Sequence, residues 1–266
     1  MEILSFTITG KLAHFRKYYA NNTALSFSIP PRTTLMGLVA GIMGWPKDSY
    51  YDKLSTEHFR FGVRVRTPIK KSFQRLNFLS IKKTGDISKS LDSDFRGRGG
   101  RIQTPFEIVS GFNLTKHDVT YQVFLCPLNS ENPIYLEIKR HFEKQKPVFN
   151  LSLGPANFQA SLQQVEVITE SQIKQIQTDE FVEIHSALPS SHVEELHFKK
   201  EDAEQYNFVE EDMMPGEFIE NYNREVKTMN RLLFSTTDKP LRVKLKTPFY
   251  QIKTREELIN IQFMDQ

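Results

Sequence analysis

An α+β fold is predicted by three observations: two-residue alternation of apolar side chains in several short segments, helical spacing in two others, and the order in which they follow one another. Glu2 to Gly10 alternates through Ile3-Leu4-Ser5-Phe6-Thr7-Ile8-Thr9, the pattern of a strand with one face in a core. Polar, aromatic and cationic residues follow from His14 to Asn22, and Pro30-Pro31 cannot continue a strand interior. A helix then starts with Thr33 or Thr34 as N-cap, carries Leu35, Leu38, Val39, Ile42 and Met43 on one face, and stops at Gly44. Gly37 and Gly41, one turn apart, let this helix approach a sheet closely.

A second short helix is expected near Tyr50 to Leu54. Arg60 to Arg66 alternates apolar residues with arginine or glycine and predicts a strand with its arginines on one face. Lys70 to Ile108 lacks helical periodicity and exceeds an ordinary connection, which marks a functional insertion. Val119 to Leu125 is the next strand, Tyr135 to Lys144 an amphipathic helix, and Ser161 to Ile168 another strand. The order is β-α-β-β-α-β, the ferredoxin-like or RNA-recognition-motif plan, over residues 1–168 with a basic insertion at about 67–110. Residues 169–266, with strands expected at Phe181 to His185, Leu232 to Phe234 and Leu241 to Ile252, form a β-rich carboxyl-terminal subdomain.

The composition fits a folded chain: 39% of residues are apolar and 12% aromatic, which excludes intrinsic disorder. One cysteine, Cys126, cannot form an intramolecular disulfide, and no Cys/His spacing suits zinc. The amino terminus lacks a basic region before an apolar run, and the apolar stretch around Leu35 to Trp45 is too short to span a bilayer. These features predict a soluble cytoplasmic protein with no membrane partner.

The net charge is only +3, yet the charges are sorted along the chain. From Arg64 to Arg101 eleven lysines and arginines face three aspartates, a net +8; from Glu194 to Glu225 eleven acids face three bases, a net −8. The cationic segment attracts polyanions and the acidic one repels them, so nucleic acid is expected at the first half and protein partners or solvent at the acidic stretch. Solvated surface loops are the plainer alternative for both.

Within the insertion, Arg96-Gly97-Arg98-Gly99-Gly100-Arg101 joins flexible backbone to guanidinium groups that pair with phosphate and stack on bases. Phe73, Phe78 and Phe95 interleave with its cations as stacking faces, or else pin the insertion to the domain, the better account for Phe78 beside Leu76 and Leu79. No P-loop, GxGxxG, HExxH or GxSxG pattern occurs, so no cofactor and no metal site is expected. Lys116 and His117, beside Asp118 and near Tyr121, are the residues with which a metal-independent ribonuclease could deprotonate a ribose hydroxyl; solvated turn residues are the competing account.

The run from Ser28 to Gly44, SIPPRTTLMGLVAGIMG, placed after a strand and the HFRK segment, resembles the CRISPR-associated Cas five family of the RAMP superfamily. It is most similar to the type I-B branch. The resemblance implies a non-catalytic subunit of a type I Cascade complex that caps the crRNA 5′ handle in antiviral defence. It implies contacts with the backbone subunit and the large target-sensing subunit, with target DNA near the PAM a further candidate. By the same resemblance His14, Arg16, Lys17, Thr33 and Thr34 lie by the handle. The insertion from Lys70 to Arg101 resembles the family's thumb hairpin, which implies Lys70, Lys71, Arg75, Lys82, Lys83, Arg96, Arg98 and Arg101 as RNA-binding cations, with Arg64 and Arg66 of the preceding strand as further RNA-binding candidates. Phe149 to Gly154, with Asn150 and Gly154, resembles the family's glycine-bearing loop, although Pro155 follows where many relatives carry a basic or polar residue. In the type I-C branch a tyrosine, a lysine and a histidine cleave precursor crRNA; Lys116 and His117 match two of these, with Tyr50 or Tyr51 candidates for the third. The first-helix pattern resembles instead the branches served by a separate endonuclease. A scaffold that binds only protein is the third alternative.

Overall fold

A computed structural model of the chain describes residues 1–20, 23–79, 85, 101–197, 208–219 and 223–265. Its centre is β1 (Ile3–Gly10), which pairs antiparallel with β8 (Val119–Pro127) on one side and β10 (Gln159–Ile168) on the other. β5 (Phe59–Val65) extends the sheet beyond β8, and the two-residue β9 (Leu151–Ser152) extends it beyond β10, giving the order β5-β8-β1-β10-β9.

The alternation in β1 distributes its side chains to two cores. Leu4, Phe6 and Ile8 pack with Leu35, Val39 and Ile42 of α1 (Arg32–Met43) and with Tyr135, Ile138 and Phe142 of α2 (Pro133–Glu143). Ile3 belongs to the opposite core, with Phe124 and Ile168 and with residues of β18 (Phe249–Lys253) and β19 (Leu258–Ile261). The carboxyl-terminal strands therefore cover the sheet face that the helices leave open.

α1 differs from expectation at its start. Pro31, not a threonine, is the N-cap; its carbonyl accepts from the Thr34 and Leu35 N–H groups, and Arg32, Thr33 and Thr34 are already helical. Pro31 is extended, at φ −56° and ψ 157°, and, having no N–H, adds no unpaired donor to the helix start. Gly44 ends the helix at φ 74°, its N–H bonded to Ala40 O. Tyr50 to Leu54 forms turns closed by Leu54 N–H to Tyr50 O, not the expected helix.

Within the insertion, β6 (Ile69–Leu79) and β7 (Arg101–Gly111) form an antiparallel ribbon from Ile69↔Gly111 to Leu79↔Arg101. Lys82, Lys83, Arg96 and Arg98 lie outside the described residues. β2 (Leu12–Ala13) pairs with β7, and the short ribbon β3 (Phe15–Arg16)–β4 (Ser26–Phe27) precedes α1. After β10 the described elements are strands and 3₁₀ turns. β11 (Ile173–Ile176) joins β18 and β19; β12 (Val182–Ile184) and β14 (Val193–Leu196) flank β17 (Leu241–Leu245); β13 (Leu188–Pro189) and β15 (Val209–Phe218) flank β16 (Val226–Ser235).

Candidate nucleic-acid interface

The amino-terminal half of α1 is the floor of an open groove of about 610 Å³. Four separate stretches build its walls: Arg16 of β3 with Tyr18 just after it, Tyr50 and Tyr51 from the turn after α1, Asn150 to Ser152 with Gly154 around β9, and Pro215, Phe218 and Arg224 from β15 and the segment after it. Thr33 and Thr34 line it from the first helical turn, followed along the helix by Gly37, Leu38 and Gly41. Among the described lining residues there are two arginines and no carboxylate; Arg224 is ion-paired to Asp48, which leaves the exposed Arg16 as the cation the groove offers an anion. Tyr18 is exposed and meets Tyr19 edge to face at 5.2 Å, which makes it an aromatic side chain accessible for stacking at the groove.

Two features fix this geometry. Gly154 has φ 107°, and a Cβ there would lie 1.9 Å from the carbonyl oxygen of His14, so only glycine allows the loop after β9 to cross this closely. At the other end, Tyr51 Oη donates to Asp48 Oδ1 at 2.6 Å and Arg224 Nε to the same oxygen at 2.9 Å. Burial alone would raise the Asp48 pKa, but these donors and the Arg224 charge hold it below the usual carboxylate range.

The sequence-derived candidates separate into groups. Arg16, Thr33, Thr34, Asn150 and Gly154 come together at the groove, and Arg16 is exposed, with one long bond of 3.5 Å to Ala20 O. His14 is buried, not offered to phosphate: its Nδ1 bonds to Glu107 O at 2.7 Å and its ring packs on Phe106. Lys17 is ion-paired to Asp212 and sits over the Phe27 ring, with little exposure. Asp212 belongs to the acidic stretch, which was expected to face partners or solvent. Instead that stretch is partly drawn inward: Glu210 accepts from Ser28 Oγ at 2.5 Å, and Glu217 from Thr56 N–H at 2.7 Å.

Arg64 in β5 and Arg66 just after it are also committed. Arg64 Nη1 donates to Glu257 Oε1 at 2.7 Å, and Arg66 bonds to Glu257 at 2.5 Å and to Glu256 at 3.0 Å, so the expected cationic face is neutralised by the turn between β18 and β19. Burial would raise the Glu257 pKa; the bond to Arg64 and the charges of Arg64 and Arg66 instead lower it. On the ribbon, Lys70 lies over the Phe112 ring at 5.5 Å, Lys71 stands 3.9 Å from both Glu107 and Glu210, and Arg75 is exposed. Arg101 pairs with Leu79 through the backbone. Phe78 lies 5.9 Å from Phe106 yet is itself exposed, as is Phe73.

Lys116 and His117 are not among the groove-lining residues and sit in a turn where both N–H groups donate to Asn113 O. His117 Nδ1 is buried without a hydrogen-bond partner among the described residues. The neighbours that could assist it are engaged elsewhere: Asp118 pairs with Lys11, and Tyr121 Oη donates to Ser28 O at 2.6 Å. Tyr50 and Tyr51 lie at the groove instead. Among the described residues no group of three or more His, Cys, Asp or Glu could hold a metal ion, and no helix is long and apolar enough to cross a membrane.

Tyr18, Tyr50, Tyr51, Phe218 and Arg224 were not foreseen as groove residues. The HFRKYY run carried a signal for Tyr18; Arg224, inside an acidic stretch, carried none.

The fold is similar to that of a CRISPR protein from Archaeoglobus fulgidus, with TM-score 0.50, 13% identity and 98% of each chain covered. A chain of a CRISPR RNA-guided surveillance complex gives 0.44 at 12% identity, covering 91% of each chain. One from a type III-B Cmr-beta complex bound to cognate target RNA gives 0.47 at 13%, covering 91% of this chain and 86% of the other. No curated protein matches the sequence. A family model described as CRISPR-associated protein (Cas_Cas5) matches residues 3–232, and by that match the chain belongs to the Cas_Cas5 family of CRISPR-associated proteins.

Proposed function

We propose that the chain is a non-catalytic, RNA-binding subunit of a type I CRISPR Cascade effector complex, of the type I-B branch, and that it caps the 5′ handle of crRNA in the groove over α1. One observation carries this reading: residues from four separate stretches converge on a groove that offers the exposed guanidinium of Arg16, helical threonine hydroxyls and an exposed tyrosine. Single-stranded RNA is bound by that combination of phosphate partners and stacking faces. The groove opens at the start of α1, where the helix dipole adds to the attraction for phosphate.

The sheet order β5-β8-β1-β10 with its two helices supports a ferredoxin-like RAMP domain over residues 1–168. The residues beyond form the β-rich subdomain. We read the β6–β7 ribbon as the thumb, with Lys70, Arg75 and the cations beyond its described part facing crRNA or the backbone subunit. The large subunit and target DNA near the PAM are further partners, all in the cytoplasm.

Binding of a repeat-derived single-stranded RNA, followed from about 50 to 200 mM salt, tests the reading. The wild type should bind with a steep salt dependence, and Arg16→Ala should reduce the slope by about one counterion. Salt-independent binding, or an unchanged slope in the variant, would overturn the assignment to this groove.

The ribonuclease alternative has one observation in its favour, the unpartnered Nδ1 of His117 beside exposed Lys116. Their absence from the groove lining and the engagement of Asp118 and Tyr121 weigh against it.

A further inference from the structure

A second cavity of about 330 Å³ adjoins the groove. Arg16, Thr34 and Gly154 line both, and His14, Phe15, Phe106 and Pro155 complete the second. One nucleotide could therefore keep its phosphate at the shared arginine and threonine while its base enters the smaller cavity.

His14 is held there with little freedom. Its backbone N–H donates to Leu153 O at 2.9 Å, and its ring stacks on Phe106 with centroids 4.0 Å apart and planes 31° apart. Nδ1 meets the Glu107 carbonyl at 2.7 Å. A carbonyl oxygen only accepts, so Nδ1 carries the proton. Burial lowers the His14 pKa; the Glu107 carbonyl bond opposes this and the Arg16 charge adds to it. The net lowering leaves the ring neutral at physiological pH and Nε2 a lone-pair acceptor. Nε2 has no protein partner among the described residues.

An acceptor repels phosphate oxygen and welcomes an N–H. We infer that His14 reads a nucleobase, its Nε2 accepting a hydrogen bond from the exocyclic amino group of a base lodged in the cavity beside Phe106 and Pro155. This role deepens the RNA-binding function proposed above and depends on it. His14 then sets sequence preference, while Arg16 supplies affinity that does not depend on sequence.

The test compares three pairs of short single-stranded homo-oligoribonucleotides equal in charge and differing only in the amino group: adenosine against purine riboside, cytidine against its 4-deamino analogue, and guanosine against inosine. With the full chain, at least one amino-bearing member should bind roughly fivefold tighter than its counterpart, the worth of one hydrogen bond. His14→Phe should erase that difference while keeping the salt slope. Because this variant also loses the bond to Glu107, ¹⁵N NMR of the wild-type histidine provides a second readout. Nδ1 should be the protonated nitrogen in the free protein, and the preferred oligomer should shift Nε2 in the direction of an accepted hydrogen bond. Salt-dependent RNA binding with equal affinities in all three pairs, a preference that survives in His14→Phe, or an unmoved Nε2 resonance would overturn the role of His14 alone. Failure to bind any of the RNAs would overturn the proposed function as well.

Discussion

Arg32 Nε lies 2.5 Å from the carboxylate of Asp265, and this buried ion pair joins the first residue of α1 to the far end of the described chain, 233 positions later. Arg32 also donates to Leu54 O at 2.8 Å and Phe59 O at 3.0 Å, and its guanidinium lies 5.1 Å from the Phe61 ring centroid. The helix turn that floors the groove is thereby fixed to β5 and to the carboxyl-terminal segment. Replacing Arg32 with methionine would leave Asp265 buried beside an apolar chain and the two carbonyls short of a donor. Such a change costs about 3–5 kcal/mol. The urea midpoint should fall accordingly, and a loss below about 1 kcal/mol would show that the pair does not anchor the helix.

Gly154→Ala should be destabilising by about 1–3 kcal/mol, since its φ of 107° disfavours a side chain and its Cβ would meet His14 O at 1.9 Å. A lowered thermal midpoint together with weakened RNA binding is expected. An unchanged midpoint would mean that the loop after β9 has room the geometry does not indicate.

Acid should weaken the contact between the sheet and the turn after β18. The folded protein holds the Glu257 proton less readily than the unfolded chain, because Arg64 and Arg66 outweigh the effect of burial. Its contribution is therefore complete above the usual value of 4.5 and is lost as the pH falls through the lower folded value. Glu217 and Asp48 are shifted the same way. Urea midpoints measured across this range should decline on acidification, and less steeply in Glu257→Gln; identical profiles for the two proteins would contradict the assignment.

How far the sequence was legible follows from how local each signal is. Alternation in β1 and the glycine after α1 act within a few residues, and both marked their elements correctly. The threonines after Pro31 were mistaken for caps because proline already ends the strand and opens the helix. Arg64 and Arg66 looked like a free cationic face, since their partners Glu256 and Glu257 lie some 190 positions away on another sheet. Lys17 misled for the same reason, its partner Asp212 lying in β15. Periodicity reports which face of a strand is polar, and nothing about what covers it. The groove candidates Arg16, Thr33, Thr34, Asn150 and Gly154 came from resemblance to a family, whereas Tyr51 and Arg224 join them only through tertiary packing.

No cleavage is expected when the purified chain meets repeat RNA in the presence of a chelator. A defined product that His117→Ala abolishes would move the Lys116–His117 turn from structure to catalysis and replace the binding function with processing of precursor crRNA.

Photocrosslinking in the RNA-loaded complex, with thiouridine placed in the 5′ handle, decides whether the groove over α1 holds the handle. Adducts should map to Arg16–Tyr18, Thr33–Thr34 and Asn150–Gly154. Adducts confined to the β5 sheet face or to the Lys116–His117 turn, or none on this chain, would contradict it.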